Sequence, residues 1–279
     1  MHTRYGSINR EMLIKRSPGW RWIDWEELSH YRDLLYFLTI RGIRARYAQS
    51  VMGVSWAIIQ PLATTLIFTV VFGNFAKLSS DGAPYLLFSF LAILPWTYFS
   101  STITDASVSL VQNSLLITKV YFPRMFIPLA SALGKWLDFS IGLLVLVVLL
   151  FYFKAAPGWE LIFLPILLII LFIVSVALGL LFSAMSVQYR DVKHAMPFII
   201  QLLMYLAPVV YSTHTIPLAW QKWYVLNPMV GVVEGFRAIF LHHPMPWNWI
   251  TTGCGVSIVL FILSAAYFRR MERGFADMA

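Results

Sequence analysis

Ionisable side chains are scarce in this sequence, and their spacing limits the chemistry it can do. Glu234 and Arg237 stand one helical turn apart inside an otherwise apolar stretch, residues 229–241 (MVGVVEGFRAIFL), which suits an ion pair. Lys135 and Asp138 repeat that spacing, while Asp105 and Asp191 complete the acids near apolar segments. A proton-coupled carrier or a metal-dependent transferase needs carboxylates gathered at membrane depth or at an interface, where each buried charge costs about 2.5 to 3.5 kcal/mol. These acids are scattered. No HExxH or paired CxxC supplies a metal site; His242 and His243 beside Pro244 read as interfacial residues, and the single Cys254 as a small hydrophobe. A phosphate-binding GxxxxGK[ST] loop is also missing, because Gly134 and Lys135 precede Trp136 and Leu129 stands where the first glycine belongs. Self-powered transport and catalysis are both disfavoured.

The elements around these residues are apolar. Of 279 residues 59% are hydrophobic and only 12% charged, the profile of a polytopic membrane protein. Residues 1–50 are different. They carry nine Lys and Arg with Trp20, Trp22 and Trp25, reading as a surface region rather than a cleavable signal peptide. Within them Tyr31, Leu34, Leu35 and Leu38 follow helical spacing beside Arg32, Asp33, Arg41 and Arg44, which predicts an amphipathic helix in the headgroup plane.

Residues 51–279 predict an all-α membrane domain of six spans, near 54–72, 85–103, 136–153, 161–186, 197–211 and 249–268. Most reach roughly 27 to 30 Å at about 1.5 Å per residue, the fifth less. Counted on alternate sides of these spans, 17 of the 21 Lys and Arg fall on one side and only Lys77, Lys154, Lys222 and Arg237 on the other. Both termini are therefore expected in the cytoplasm. Residues 212–247 then face outward, and their half-apolar, charged character predicts a re-entrant segment, since irregular backbone at membrane depth persists only where protein buries it or a watery cavity receives it. Residues 104–128 mix apolar, polar and basic groups and predict a short helix across the inner surface, shaped for contact with another subunit. Residues 187–194 (VQYRDVKH) form a second polar turn on that side.

Four stretches, in order, carry a resemblance: residues 32–62 (RDLLYFLTIRGIRARYAQSVMGVSWAIIQPL), 113–128 (NSLLITKVYFPRMFIP), 188–191 (QYRD) and 226–237 (LNPMVGVVEGFR). Together the chain from about Arg32 onward resembles the membrane subunit of type-2 polysaccharide ABC exporters, the Wzm-like O-antigen export permeases with capsule and teichoic-acid relatives. The resemblance implies a homodimeric permease of the bacterial cytoplasmic membrane. It would work with two copies of a separate cytoplasmic ATPase, which alone would bind ATP and magnesium, and move a lipid-linked glycan outward. No cofactor in this chain and no nucleic acid partner are expected.

The same resemblance assigns roles residue by residue. Asn113, Leu115, Leu116, Lys119 and Arg124 would form the main ATPase contact, and Gln188, Tyr189, Arg190 and Asp191 the second. Asn227, Pro228, Gly231, Glu234, Gly235 and Arg237 would belong to the outer gate, with Gly231 and Gly235 spaced for close helix approach. Trp56, Trp96, Tyr98, Phe99, Tyr205 and Tyr211 would stack on sugar rings in a channel, or else belong to the aromatic belts at the headgroups. Arg41, Arg44 and Arg46 would meet either the pyrophosphate of the lipid-linked substrate or anionic lipids. Three rivals stay open: a drug or small-lipid exporter of the same superfamily, a membrane-embedded glycosyl or phosphoryl transferase relying on Asp105, Asp138 or Asp191, and a structural scaffold for a biosynthetic complex.

Overall fold

A computed structural model describes residues 31–48, 52–272 and 274, so Trp20, Trp22, Trp25 and the rest of residues 1–30 lie outside the described residues. Every regular element among the described residues is helical. The first, α1 (Arg32–Tyr47), buries only Leu38 and lies against a later helix. A 3-10 turn at Gly53–Ser55 leads into α2 (Trp56–Phe68), which continues as a π-helical stretch over Thr69–Phe75. There Gly73 passes so close to Tyr85 that a Cβ on it would sit 2.8 Å from the ring.

Next, α3 (Tyr85–Gln112) is the central helix, packed against α2, α5 (Phe126–Phe153), α6 (Leu164–Gln188) and parts of the next two segments. Its sequence is apolar on all sides over its first half, as a helix surrounded by others must be. Small residues set the distances. On α5, Gly142 faces Leu94, and on α6, Gly179 faces Ala106, so a Cβ at either would meet its neighbour within 2.4 Å and 3.0 Å respectively. Between α3 and α5 runs the short α4 (Ser114–Lys119), which buries Ile117 beside Leu38, Phe122 and Phe126.

Among the described residues five helices are long and apolar enough to cross a membrane: Gly53–Phe75, Tyr85–Gln112, Phe126–Phe153, Trp159–Gln188 and the last helix α10 (Trp247–Glu272). Their outer faces expose Leu66, Ile67, Val147, Val148, Ile166, Ile169, Val259 and Leu263, an apolar surface that only lipid or another apolar surface can cover. All five exceed the expected spans. Helix α3 runs on to Gln112 because Ala106, Ser107 and Leu110 keep a buried stripe beyond the apolar run, and α5 begins at Phe126 because Pro128 is tolerated in a first turn. The π-helical stretch lengthens the first span to Phe75. As a result residues 104–112 belong to α3, and only Ser114–Lys119 is a separate surface helix in the expected 104–128 segment.

The expected span at 197–211 is different. Helix α7 (Val192–Tyr205) has 14 residues, about 21 Å, and ends before Pro208, whose missing N–H and ring oppose helix at the residues before it. A turn at 206–212 and a 3-10 turn at Thr213–Thr215 then lead to α8 (Leu218–Tyr224) and α9 (Pro228–Leu241). Although α9 carries two charges, nearly all of it is buried, against α10, α3 and α6. Gly231 and Gly235 make this possible: a Cβ at Gly231 would lie 2.6 Å from the Trp249 carbonyl oxygen, and one at Gly235 would lie 2.7 Å from Leu167. Replacing Gly231 by Val drives a side chain into backbone that cannot turn aside, at a cost of roughly 1–3 kcal/mol. A lower Tm for the purified Gly231→Val protein checks this, and an unchanged Tm contradicts the close approach of α9 and α10.

Candidate functional site

At the α9 end of the bundle the organising group is Arg237, which is 1% exposed. Its Nη1 donates to Glu234 Oε1 at 2.8 Å and to the Tyr211 carbonyl at 3.3 Å, and Nη2 donates to the Val209 carbonyl at 3.3 Å. Nε reaches the Phe88 carbonyl at 3.5 Å, while the guanidinium carbon lies 3.5 Å from the Phe88 ring centroid. Tyr85 adds a hydroxyl to the Val210 carbonyl at 2.5 Å, and Ser212 donates to Asp81 at 2.7 Å. The Asn227 side chain accepts from Met229 N–H at 3.1 Å, capping α9, and donates to the Leu206 carbonyl at 2.8 Å. The turn at 206–212 leaves carbonyls without helical partners, and these side chains supply them. Tyr211 also meets Tyr224, hydroxyl to hydroxyl, at 2.9 Å. The gate residues of the sequence reading thus gather on α9 and the turn beneath it.

The opposite end carries a second set of charges. Arg46 bridges Asp138 at 2.8 Å and Asp105 at 3.3 Å, and Lys135 Nζ lies 2.8 Å from Asp105 but 4.0 Å from Asp138. Lys135 therefore pairs more closely across to α3 than with its helical neighbour. Tyr47 donates to Asp138, and its hydroxyl pKa is pushed up to about 12, by burial first and by that carboxylate second. These contacts pin the end of α1 to α3 and α5, while Gly134 leaves room for Ile43 and Arg46. They form one wall of a cavity of about 440 Å³, whose other walls come from α2, α3 and Ile200 of α7. Trp56, Gln60, Ser100, Ser101 and Thr104 line it, with Tyr98 and Phe139 at its base.

Other expected residues separate. Arg41 is exposed and donates to Asn113 Oδ1, and Arg44 is exposed, so neither shares the cavity with Arg46. Trp96 and Phe99 stack on each other in the core, 5.3 Å between ring centroids. Tyr98 packs on Trp136 and Phe139 and donates to the Ala132 carbonyl at 3.2 Å. Tyr205 is exposed, and its carbonyl accepts from the Tyr211 hydroxyl. Leu115, Gln188, Tyr189, Arg190 and Asp191 are exposed, with Val120 and Tyr121 completing an uncovered apolar surface near Leu115. Leu116 is half-buried against the cluster around Leu38, and Lys119 is exposed. Arg124 holds the end of α10: its Nη1 donates to the Glu272 carbonyl at 2.6 Å and its backbone N–H to the Glu272 carboxylate at 3.2 Å. Among the described residues no three His, Cys, Asp or Glu side chains converge as a metal site.

Sequence reasoning missed the cavity. Its trace is the run Ser100, Ser101, Thr104 and Asp105, polar residues recurring on one face of an otherwise apolar helix. Missed too were Asp81, Tyr85 and Phe88, whose partners lie more than a hundred residues away.

Residues 33–241 match the ABC-2 type transporter family, across α1 to the end of α9, including both charge clusters and the exposed surface at α4. The chain belongs to the ABC-2 type transporter family. An O-antigen export system permease protein, RfbA of Myxococcus xanthus, is 28% identical over 254 residues, covering 90% of this chain and 97% of that one. An RfbA of Klebsiella pneumoniae is 25% identical over 90% of this chain and 96% of its own. The polysialic acid transport protein KpsM of Escherichia coli is 26% identical over 84% of this chain and 92% of its own. As a member of this family the chain is a multi-pass membrane protein and the permease subunit of an exporter.

Two outcomes test the geometry. Arg237→Met leaves the part-buried Glu234 without its ion-pair partner and the Val209 and Tyr211 carbonyls unmet, a loss of about 3 kcal/mol; Arg237→Lys rescues little, because an ammonium cannot fork to both carbonyls. The yield of folded protein and its Tm report both, and a stable Arg237→Met protein refutes the role. Asp138→Asn weakens the hold on α1, so the amides of α1 exchange up to about fivefold faster, as up to about 1 kcal/mol of lost local stability requires. Unchanged exchange contradicts that anchor.

Proposed function

We propose that this ABC-2 permease exports a lipid-linked polysaccharide from the cytoplasm across the bacterial inner membrane, as a homodimer driven by two copies of a partner ATPase. The observation that carries the reading is end-to-end similarity to O-antigen export permeases, over nearly the whole of both chains. Several features of the fold support it. Helices α2 and α7 are barely covered within one chain: in α2 only Pro61 and Thr65 are buried, and in α7 only Met196. Phe198, Leu202 and Tyr205 on α7 are left open, and a second copy would cover them and enclose a path between the two chains. In this arrangement α7 acts as the short fifth of six spans, and α8 and α9 form the re-entrant outer gate, with Arg237 as the internal partner that their irregular approach needs.

The termini then lie in the cytoplasm, together with α1, α4 and the turn at Gln188–Asp191. Leu115, Val120, Tyr121 and Tyr189 offer the ATPase an apolar contact rimmed by Lys119 and Arg190. Closure of the two ATPase subunits around ATP pushes on α4, and α3, which runs directly into it, carries the motion to the centre of the bundle. Arg124 is a poor probe of docking, since it secures α10, whereas Leu115 is 74% exposed and free to report it.

ATP turnover tests the reading, measured for the chain co-expressed with a nucleotide-binding subunit and reconstituted in lipid with and without lipid-linked glycan. A stable complex with glycan-responsive turnover is expected, and Leu115→Asp with Tyr121→Asp reduces co-purification of the partner by roughly tenfold or more. Lack of association with any nucleotide-binding subunit overturns the reading. Glycan-transfer activity of the chain alone, abolished at Asp105 or Asp138, would establish the transferase instead.

A further inference from the structure

The cavity between α1, α2, α3 and α5 is balanced in charge. Its lining contains two cations, Arg46 and Lys135, and two carboxylates, Asp105 and Asp138, and each cation is within 3.3 Å of at least one carboxylate. Arg46 is therefore already committed and is unsuited to the diphosphate role that the sequence suggested. The rest of the lining is uncharged and rich in hydrogen-bonding groups. Ser100, Ser101 and Thr104 donate to carbonyls of their own helix, at 3.2, 3.3 and 2.8 Å, which leaves their oxygens as acceptors toward the space. Gln60 adds an amide with both donor and acceptor, and the Trp56 ring, 53% exposed, supplies an apolar face.

We propose that this cavity is a binding site for uncharged sugar units of the transported chain, selecting neutral over acidic glycans. The inference rests on the glycan-export reading above and specifies its substrate class. A neutral sugar offers hydroxyl donors to the three side-chain oxygens and a C–H face to Trp56. A uronate entering the same space finds each cation already paired and brings a carboxylate past Asp105 and Asp138, so it loses hydration without a new partner. The position is also suited to a sorting step, because Arg46 and Tyr47 tie the end of α1 to the cavity wall.

The test uses the full chain in lipid nanodiscs with its nucleotide-binding partner, titrated with maltotriose as neutral probe and trigalacturonate as acidic probe, and read by saturation-transfer NMR. Maltotriose is expected to bind, and trigalacturonate at least about tenfold more weakly. Thr104→Val and Gln60→Ala, both at exposed positions, each weaken maltotriose roughly fivefold, the scale of one neutral hydrogen bond, and Trp56→Ala weakens it further. Trp159→Ala, an exposed tryptophan elsewhere, leaves it unchanged. Asp105→Asn frees a cation and narrows the gap between the two probes, which a merely structural effect would not do. Equal binding of both probes, no maltotriose binding, or maltotriose binding that survives all three cavity variants overturns the proposal. A complex that forms and hydrolyses ATP while giving any of these results defeats the sugar site alone, whereas absence of the complex defeats the functional reading itself.

Discussion

One constraint governs the α9 end of this protein: a chain that reverses direction inside an apolar bundle must find partners for the carbonyls its turn exposes. Residues 206–212 create that demand, and Arg237 meets much of it with a single guanidinium held by Glu234 and the Phe88 ring. The arrangement needs α9 to lie deep in the bundle. Gly231 and Gly235 allow it, one against the backbone of α10 and the other against Leu167 of α6. Burying a lone charge here would be prohibitive, so the pair, the glycines and the turn form one device and none makes sense without the others.

The α1 end is built differently. Its charges, apart from the buried Lys135, are partly exposed and tie together helices that are distant in sequence, Arg46 to Asp105 and Asp138. Such pairs add little stability individually. Their effect is to fix where α1 ends relative to the cavity while leaving that helix with only one fully buried side chain, Leu38. The α9 end is thus fastened by a buried network, and the α1 end by contacts that water can reach.

How much of this could be read from sequence follows from how local each cause is. Hydropathy placed five membrane-length helices, because twenty apolar residues are a local property. The helix ends were harder: α3 and α5 continue past their apolar runs, since their buried stripes persist where the surroundings are no longer all apolar. Pro208 marked the break after α7, and the Glu234–Arg237 spacing gave away an ion pair. What Arg237 holds was hidden, because Phe88 and Val209 come near it only through the packing of α3 and α9. The cavity was hidden for the same reason, as five separate helices build it. Trp96 and Phe99, which looked suited to a channel, fill the core of a single chain instead.

The late position of Arg237 has a consequence for synthesis. Helix α3 is made early, yet of the helices packed against it only α2 precedes it, α5, α6 and α9 emerge afterwards, and the clamp on the turn at 206–212 is added near the end. Until residue 237 has left the ribosome, the Val209 and Tyr211 carbonyls lack the guanidinium that meets them in the finished bundle. Closure of the α9 end is consequently a late event, and a polypeptide cut short before α9 leaves open to proteolysis the very groups that the finished protein conceals.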